Sequence, residues 1–473
     1  MKKLAESIID LLKLKRVQYG DVRVVRVVKE FILVKDGIVD RIEKTVNEGV
    51  GIRVLVDNRW GFAGVSSTSI KDAEEAVNRA VEIARSTHKI AKVAGLSQEP
   101  PYVDSYVSPY IKDPFKVDLE DKINLLLELD LHLKGKYVRK RLSYLEFEDF
   151  KQVFASTEGS LIDQRFIDSG ISMKVVAERE GEVQERSFSN MLRKGYEYII
   201  ELNAKEIAEK LVNEVQELLS APTCPEGEMD VILAPDQMAL QIHESIGHPL
   251  ELDRVLGFEA SYAGTSFATL DKLNTFKYGS ELLNVYQDST YPHGLGTFGY
   301  DDEGVKAQNI PLIKNGILSG YLSSRESAYY INSKSSGAAR AQDWSRIPLV
   351  RMTNINLLPG NSSLEEMIES TKYGILMKTN KSWSIDDKRL NFQFGAEVGY
   401  LISKGKIVGM VKNPAYTGIT PVFWNNLVMV GSEKEFEYYG ITNCGKGEPG
   451  QTMKVGHGSP PCKFTKVRVM PSK

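Results

Sequence analysis

Two proline-bearing segments divide this chain more sharply than anything else in it. Residues 99–114 contain Pro100, Pro101 and Pro109, and residues 221–228 read "APTCPEGE". Proline removes a backbone donor and drives the preceding residue away from helical angles, so both segments read as boundaries. Three stretches remain in the 473 residues, 1–98, 115–221 and 228–473, each long enough for a core of its own.

The patterning differs between them. In the first, "VRVVRVV" (22–28), "FILVKDGIVDRI" (31–42) and "GVGIRVLVDNRWGFAG" (49–64) are rich in Val and Ile and punctuated by glycine, which predicts antiparallel strands. Leu4, Ile8, Leu11 and Leu12 recur at helical spacing near the N-terminus. A second helix follows over 69–86, with Ser69 and Asp72 in a capping-box pattern and Ala73, Ala76, Ala80, Ile83 and Ala84 on its apolar face. The second stretch predicts a helix from Val117, three strand-like runs (142–157, 160–180 and 182–192) and a helix from Asn203, a candidate cap with Glu206 three residues on. The third is mostly β, with two-residue hairpin turns expected at Asn315-Gly316 and around Gly405. The class is α+β: smaller N-terminal parts, then a large β-rich C-terminal domain that carries any chemistry.

Composition excludes several roles. A net charge of −3, well mixed and without a basic block, leaves no footprint for nucleic acid. No apolar run approaches the ~20 residues that span a bilayer, and the N-terminal pattern is an amphipathic helix, not a leader. Three cysteines, Cys224, Cys444 and Cys462, make no disulfide framework. The expectation is a soluble cytoplasmic protein with no membrane partner.

Chemistry concentrates in "QIHESIGHPLELD" (241–253). In zinc proteases two histidines four apart face one ion from a helix. Here His243 and His248 are five apart, which at ~100° per residue leaves them roughly 140° apart on an ideal helix. Gly247 offers a way out: a helix that ends or loosens there lets His248 swing back, and Pro249 forbids ordinary continuation. Glu244 would then stand beside the metal as a general base toward water. The competing reading is a helix end with one exposed and one packed histidine. A third ligand must come from elsewhere: Cys444 in "GITNCGKGEPGQ" is the strongest candidate, with His457, Cys462, Glu251 and Asp253 as rivals. Asp301, Asp302 and Glu303, near His293, read as a solvated turn, or else as a site for a substrate amine or support for a ligand histidine. Arg351 and Asn354 could anchor a peptide backbone or simply order a loop, and Cys224 and Cys462 read as packing residues.

"HESIGHPLELD" resembles the HExxxH motif of the TldD/PmbA family, once described as modulators of DNA gyrase. "GVGIRVLVDNRWGFA", "YDDEGV" (300–305), "LIKNGILSGYL", "RMTNINLLPG" (351–360) and "CGK…GQ" (444–451) resemble its other signatures in the same order, nearly the whole chain long. The resemblance implies a zinc metallopeptidase with His243, His248 and Cys444 as ligands and Glu244 as base. It also implies a dimer, either with a second copy or with a motif-lacking paralogue. Departures are Pro249 and Leu252 where the family tends to glycine, and a lengthened, proline-bearing loop after Cys444. A thiolate ligand makes zinc a weaker Lewis acid, so modest turnover is expected. The substrate expected is an extended peptide or unfolded segment; the alternative is a non-catalytic peptide-binding or regulatory protein.

Overall fold

The computed structural model describes residues 1–87 and 92–472. The first two stretches build one sheet. Its strands are β1 (Tyr19–Lys35), β2 (Ile38–Val56), β3 (Arg59–Val65), β4 (Val103–Val107), β5 (Val138–Ser156), β6 (Leu161–Arg179) and β7 (Glu182–Leu192). β1 pairs antiparallel with β5 from Asp21 to Lys35, which gives the order β3-β2-β1-β5-β6. β4 and β7 share the outer edge of β6, β4 along Leu161–Arg165 and β7 along Ser169–Arg179. The proline-bearing segment 99–114 is therefore more than a connection, since it supplies β4.

Side-chain alternation sorts this sheet into two faces. Val22, Val24, Ile32 and Val34 of β1 point to the same side as Leu145, Phe147, Val153 and Ala155 of β5. Helices α1 (Lys2–Leu14) and α2 (Ile70–Ser86) cover one end of that face, and α3 (Leu119–His132) and α4 (Ala204–Leu218) the other. On α2 the expected Ala73, Ala76, Ala80 and Ala84 are buried, joined by Val77 and Val81, while Ile83 is exposed.

The opposite face packs on the third stretch through polar groups. Arg23 donates to the carbonyl of Asp343 at 3.0 Å, Gln152 to Asp302 at 2.6 Å, and Gln164 to the carbonyl of Tyr300 at 2.9 Å. The glycines of "GVGIR" belong to this junction. A Cβ on Gly49 would come within 2.5 Å of the Trp344 ring, and one on Gly51 within 2.4 Å of the Trp344 carbonyl. Only bare backbone lets that loop lie flat on β2.

The solvated turn expected at Asp301–Glu303 is not what forms. Asp301 and Glu303 are buried: Asp301 accepts the backbone N–H groups of Glu303, Val305 and Ala339, and Glu303 pairs with Arg53 of β2 at 2.9 Å. Asp302 accepts from Gln152 and from the Ala341 N–H. The three acids join the sheet to the third stretch, and none of them bonds His243 or His248.

The third stretch contains a closed ring of strands. β8 (Gly227–Leu233) pairs in parallel with β9 (Tyr373–Ile385), and β9 pairs with β10 (Asn391–Ser403). β10 then pairs with β11 (Pro414–Ile419), β11 with the last strand, and that strand back with β8. Before the last strand comes a separate hairpin, β12 (Glu437–Lys446) and β13 (Gln451–Ser459), so the last strand is β14 (Cys462–Pro471). Val231, Leu233, Met377, Phe394 and Phe464 are buried in one core cluster of this domain. Both expected hairpins form. Ile317 pairs with Lys314 around Asn315 (φ 48) and Gly316 (φ 76), and Lys406 pairs with Ser403 around Lys404 (φ 52) and Gly405 (φ 76). Positive φ at both central residues is the turn that matches strand twist.

Candidate metal centre

Helix α5 (Pro235–Ile242) leaves the end of β8 after a single residue, Ala234, with proline at its first position. It then widens instead of breaking. Residues His243–Gly247 form one π turn, in which the N–H of His248 reaches the carbonyl of His243, five residues back. Gly247 (φ −57, ψ −66) and His248 (φ −59, ψ −44) keep right-handed helical angles. The spacing problem is thus solved by a wider turn rather than by a helix end at Gly247: one π turn puts residues five apart on the same side. Gly247 is needed for another reason. A Cβ there would lie 2.0 Å from the sulfur of Met352. The turn is fastened from below, with Ser245 Oγ accepting from Gln241 and from Trp424, each at 2.9 Å.

The two imidazoles meet edge to face with centroids 4.8 Å apart, and both are buried, which removes the reading of one exposed and one packed histidine. Their tautomers are set by what they touch. His457 Nδ1 faces the carbonyl of Ile355 at 3.2 Å, so that nitrogen carries the proton and His457 Nε2 accepts. His243 Nδ1 donates to His457 Nε2 at 2.8 Å, leaving His243 Nε2 with a free lone pair. His248 Nδ1 donates to the carboxylate of Glu251 at 2.9 Å, leaving its Nε2 free as well. Burial pushes the pKa of all three histidines down, so they are neutral, as ligands or their supports must be.

Cys444 arrives from the hairpin. Its strand has an irregularity in register between Ile441 and Cys444, and bulges of this kind re-aim side chains. The sulfur lies 3.6 Å from His248 Nε2. Burial raises this thiol, but the guanidinium of Arg351, 3.1 Å away, and the imidazole of His248 outweigh it, and the net shift is downward. One donor atom each from His243, His248 and Cys444 lies within 4.8 Å of the others. Tetrahedral ligands about 2.0–2.3 Å from a zinc ion stand about 3.3–3.6 Å apart, so the donor set and the Cys444–His248 spacing suit such an ion, while the widest separation of the three would have to close by about 1 Å.

The other sequence candidates take different places. His457 and Glu251 touch His243 and His248, respectively. Asp253 pairs with the buried ammonium of Lys446 at 2.7 Å, and Lys446 also reaches Glu251 at 3.3 Å. Arg351 grips Cys444 and Asn354 orders a loop, accepting from Gly296 N and Tyr438 OH. Cys224 and Cys462 are buried packing residues, and His293 faces the carbonyl of Arg193 away from the cluster. Sequence reasoning missed Arg389, whose guanidinium contacts the carboxylate of Glu244. Nothing in "DDKRL" marks it, because the contact spans 145 residues.

His243, Glu244, His248, Cys444 and Arg389 line one cleft of about 780 Å³. Its opposite wall comes from the second stretch, including Ser189 of β7 and Leu211 of α4. The side chain of Asn190 engages Tyr438 O and Gly440 N of β12, each at 2.9 Å. Beyond that point, Ile441 to Gly445 run along the cleft with β13 as their strand partner on the other edge.

Comparison with known proteins places these features in a wider setting. Residues 226–470 match the PmbA/TldA metallopeptidase C-terminal domain, 20–84 domain 1, and 112–219 the central domain. A metalloprotease of Methanocaldococcus jannaschii is 32% identical over 93% of this chain and 94% of its own. A zinc metalloprotease TldD homolog of Saccharolobus solfataricus is 27% identical over 95% and 96%. The crystal structure of a protein from Thermotoga maritima, named as a candidate modulator of a DNA gyrase, superposes with a TM-score of 0.80 at 17% identity over 99% of both chains. Among the described residues no helix is long and apolar enough to cross a membrane.

Proposed function

Since the chain belongs to the PmbA/TldA metallopeptidase family, we propose that it is a zinc-dependent peptidase acting on extended peptides or unfolded segments. One observation carries this reading: two imidazole nitrogens and a cysteine sulfur converge beside a glutamate at the wall of a cleft. His243, His248 and Cys444 would hold the zinc, which would supply Lewis acidity at the wall of the cleft.

The chain's own groups do the rest. Glu244 accepts the proton of the attacking water and returns it to the leaving amine. Arg389 fixes that carboxylate and adds a positive charge beside it. Glu251 and His457 hold the two ligand rings in the tautomers that leave Nε2 free. A substrate in extended form can lie along Ile441–Gly445 and exchange main-chain hydrogen bonds there, which gives affinity with little sequence preference.

The test is metal content and cleavage of an unfolded protein, measured on wild type and on His243→Ala prepared without chelators. About one zinc per wild-type chain, lost together with activity in the variant, supports the reading. Wild-type protein that holds no metal and still cleaves overturns it.

A further inference from the structure

A second cavity, of ≈ 120 Å³, lies between the sheet and the third stretch. Phe150, Gln152 and Phe166 line it from the sheet, and Thr442 and Lys454 from the hairpin that carries Cys444. None of His243, Glu244, His248 and Cys444 borders it, so it is separate from the metal centre. A water needs roughly 10–15 Å³ on this measure, so the space suits several waters or one molecule of amino-acid size.

Most of the charge around it is paired. Lys454 bridges Glu148 and Asp168 at 3.0 Å each, Arg193 holds Asp168 at 2.9 Å, and Lys29 holds Glu148 at 3.0 Å. Arg340 is different. It is 7% exposed, lines the cavity and has no carboxylate at ion-pair distance among the described residues. Nη1 donates to the carbonyls of Met352 (2.8 Å) and Lys454 (2.7 Å), while Nε and Nη2 have no acceptor there. Burial, then Arg193 and Arg351 nearby, pull its pKa down to about 9, against the opposing pull of Asp302. The guanidinium stays charged, and burial is the largest cause of that depression. Asp302, which also lines the cavity, has no ion-pair partner among the described residues either, and its two contacts, Gln152 and the Ala341 N–H, are neutral. Nε and Nη2 are open to the cavity rather than enclosed without partners, and a carboxylate there would answer them.

We infer that this cavity binds a free α-amino acid, with its carboxylate on Nε and Nη2 of Arg340, its ammonium toward Asp302, and its side chain among Phe150, Phe166 and Phe298. The three rings supply an apolar wall without choosing a particular side chain. The inference stands apart from the zinc-peptidase reading, since no metal ligand takes part.

The experiment is calorimetric titration of the whole protein with leucine, N-acetyl-leucine and leucinamide, up to about 10 mM. Leucine should bind, N-acetyl-leucine should bind about tenfold more weakly, and leucinamide should not bind. Binding should vanish in Arg340→Met and in Ala341→Leu, which fills the cavity while keeping the arginine, and should persist in Cys444→Ser. The proposal falls if leucine does not bind, if leucinamide binds as well as leucine, or if binding survives in Ala341→Leu. Loss in Cys444→Ser with retention in Arg340→Met also overturns it, by moving the ligand to the metal centre.

Discussion

Glu244 and His457 sit within one cluster, and their substitutions should fail in different ways. Glu244 faces the cleft and pairs with Arg389, but it is outside the three converging donors. Glu244→Gln is therefore expected to keep metal and melting temperature while activity falls about 10²–10⁴-fold, as for loss of a general base; unchanged cleavage would remove Glu244 from the mechanism. His457 reaches the proposed metal only through His243. His457→Gln should weaken zinc affinity about 10–100-fold, measured by chelator competition, with residual activity restored at saturating zinc. A cobalt-substituted sample should show a sulfur-to-cobalt charge-transfer band that is lost in Cys444→Ser and kept in Cys462→Ser. From the sequence, His243, Glu244, His248 and Cys444 could be singled out because rare residue types fall in a short motif and a glycine-rich turn. His457 was visible only as a rival ligand, and Arg389 not at all, since a contact between residues 145 apart leaves no local pattern.

Among the elements, the π turn asks most of its surroundings. Gly247→Ala drives a methyl group into Met352, and overpacking of this kind costs about 1–3 kcal/mol. The expected result is a lower melting temperature and weaker metal retention, with Gly247→Ala costing less on a Met352→Ala background than in the wild type; an equal cost in both backgrounds would place the strain elsewhere. Elements with strong periodicity were legible: the four sheet-covering helices, the long Val-rich strands and both hairpin turns. Their ends were less so. Ser69 and Asn203 precede their helices, yet neither side chain caps, and it is Ser67 that donates to Asp72 at 2.6 Å. Short polar side chains choose among several nearby backbone and side-chain partners, and a few tenths of a kcal/mol decide. The π turn itself was masked by Gly247, whose usual role at helix ends suggested a stop.

For the whole molecule, the junction between sheet and third stretch is where stability should be tested. The Arg53–Glu303 pair is buried on both sides, but Arg53 also holds Asp21 at 2.6 Å, so Glu303→Gln removes one of two carboxylates and is expected to cost about 1.5–3 kcal/mol, read as a drop in the denaturation midpoint. We also propose that the molecule works as a dimer, with a second copy or a motif-lacking relative, which light scattering would check; a monomer that readily cleaves folded proteins contradicts this. Neither the sheet shared by the first two stretches nor the strand ring could be foreseen, because pairings such as β1 with β5 join residues more than a hundred apart. The ring also has a temporal side. β14 is the last strand, and it bridges β11 and β8. At about 5–20 residues per second, ribosomal synthesis separates β8 from β14 by on the order of tens of seconds. Throughout that interval His243 and His248 are already made while the strand with Cys444 is absent or unfastened. On the peptidase reading, a nascent copy would therefore stay inert until β14 closes the ring.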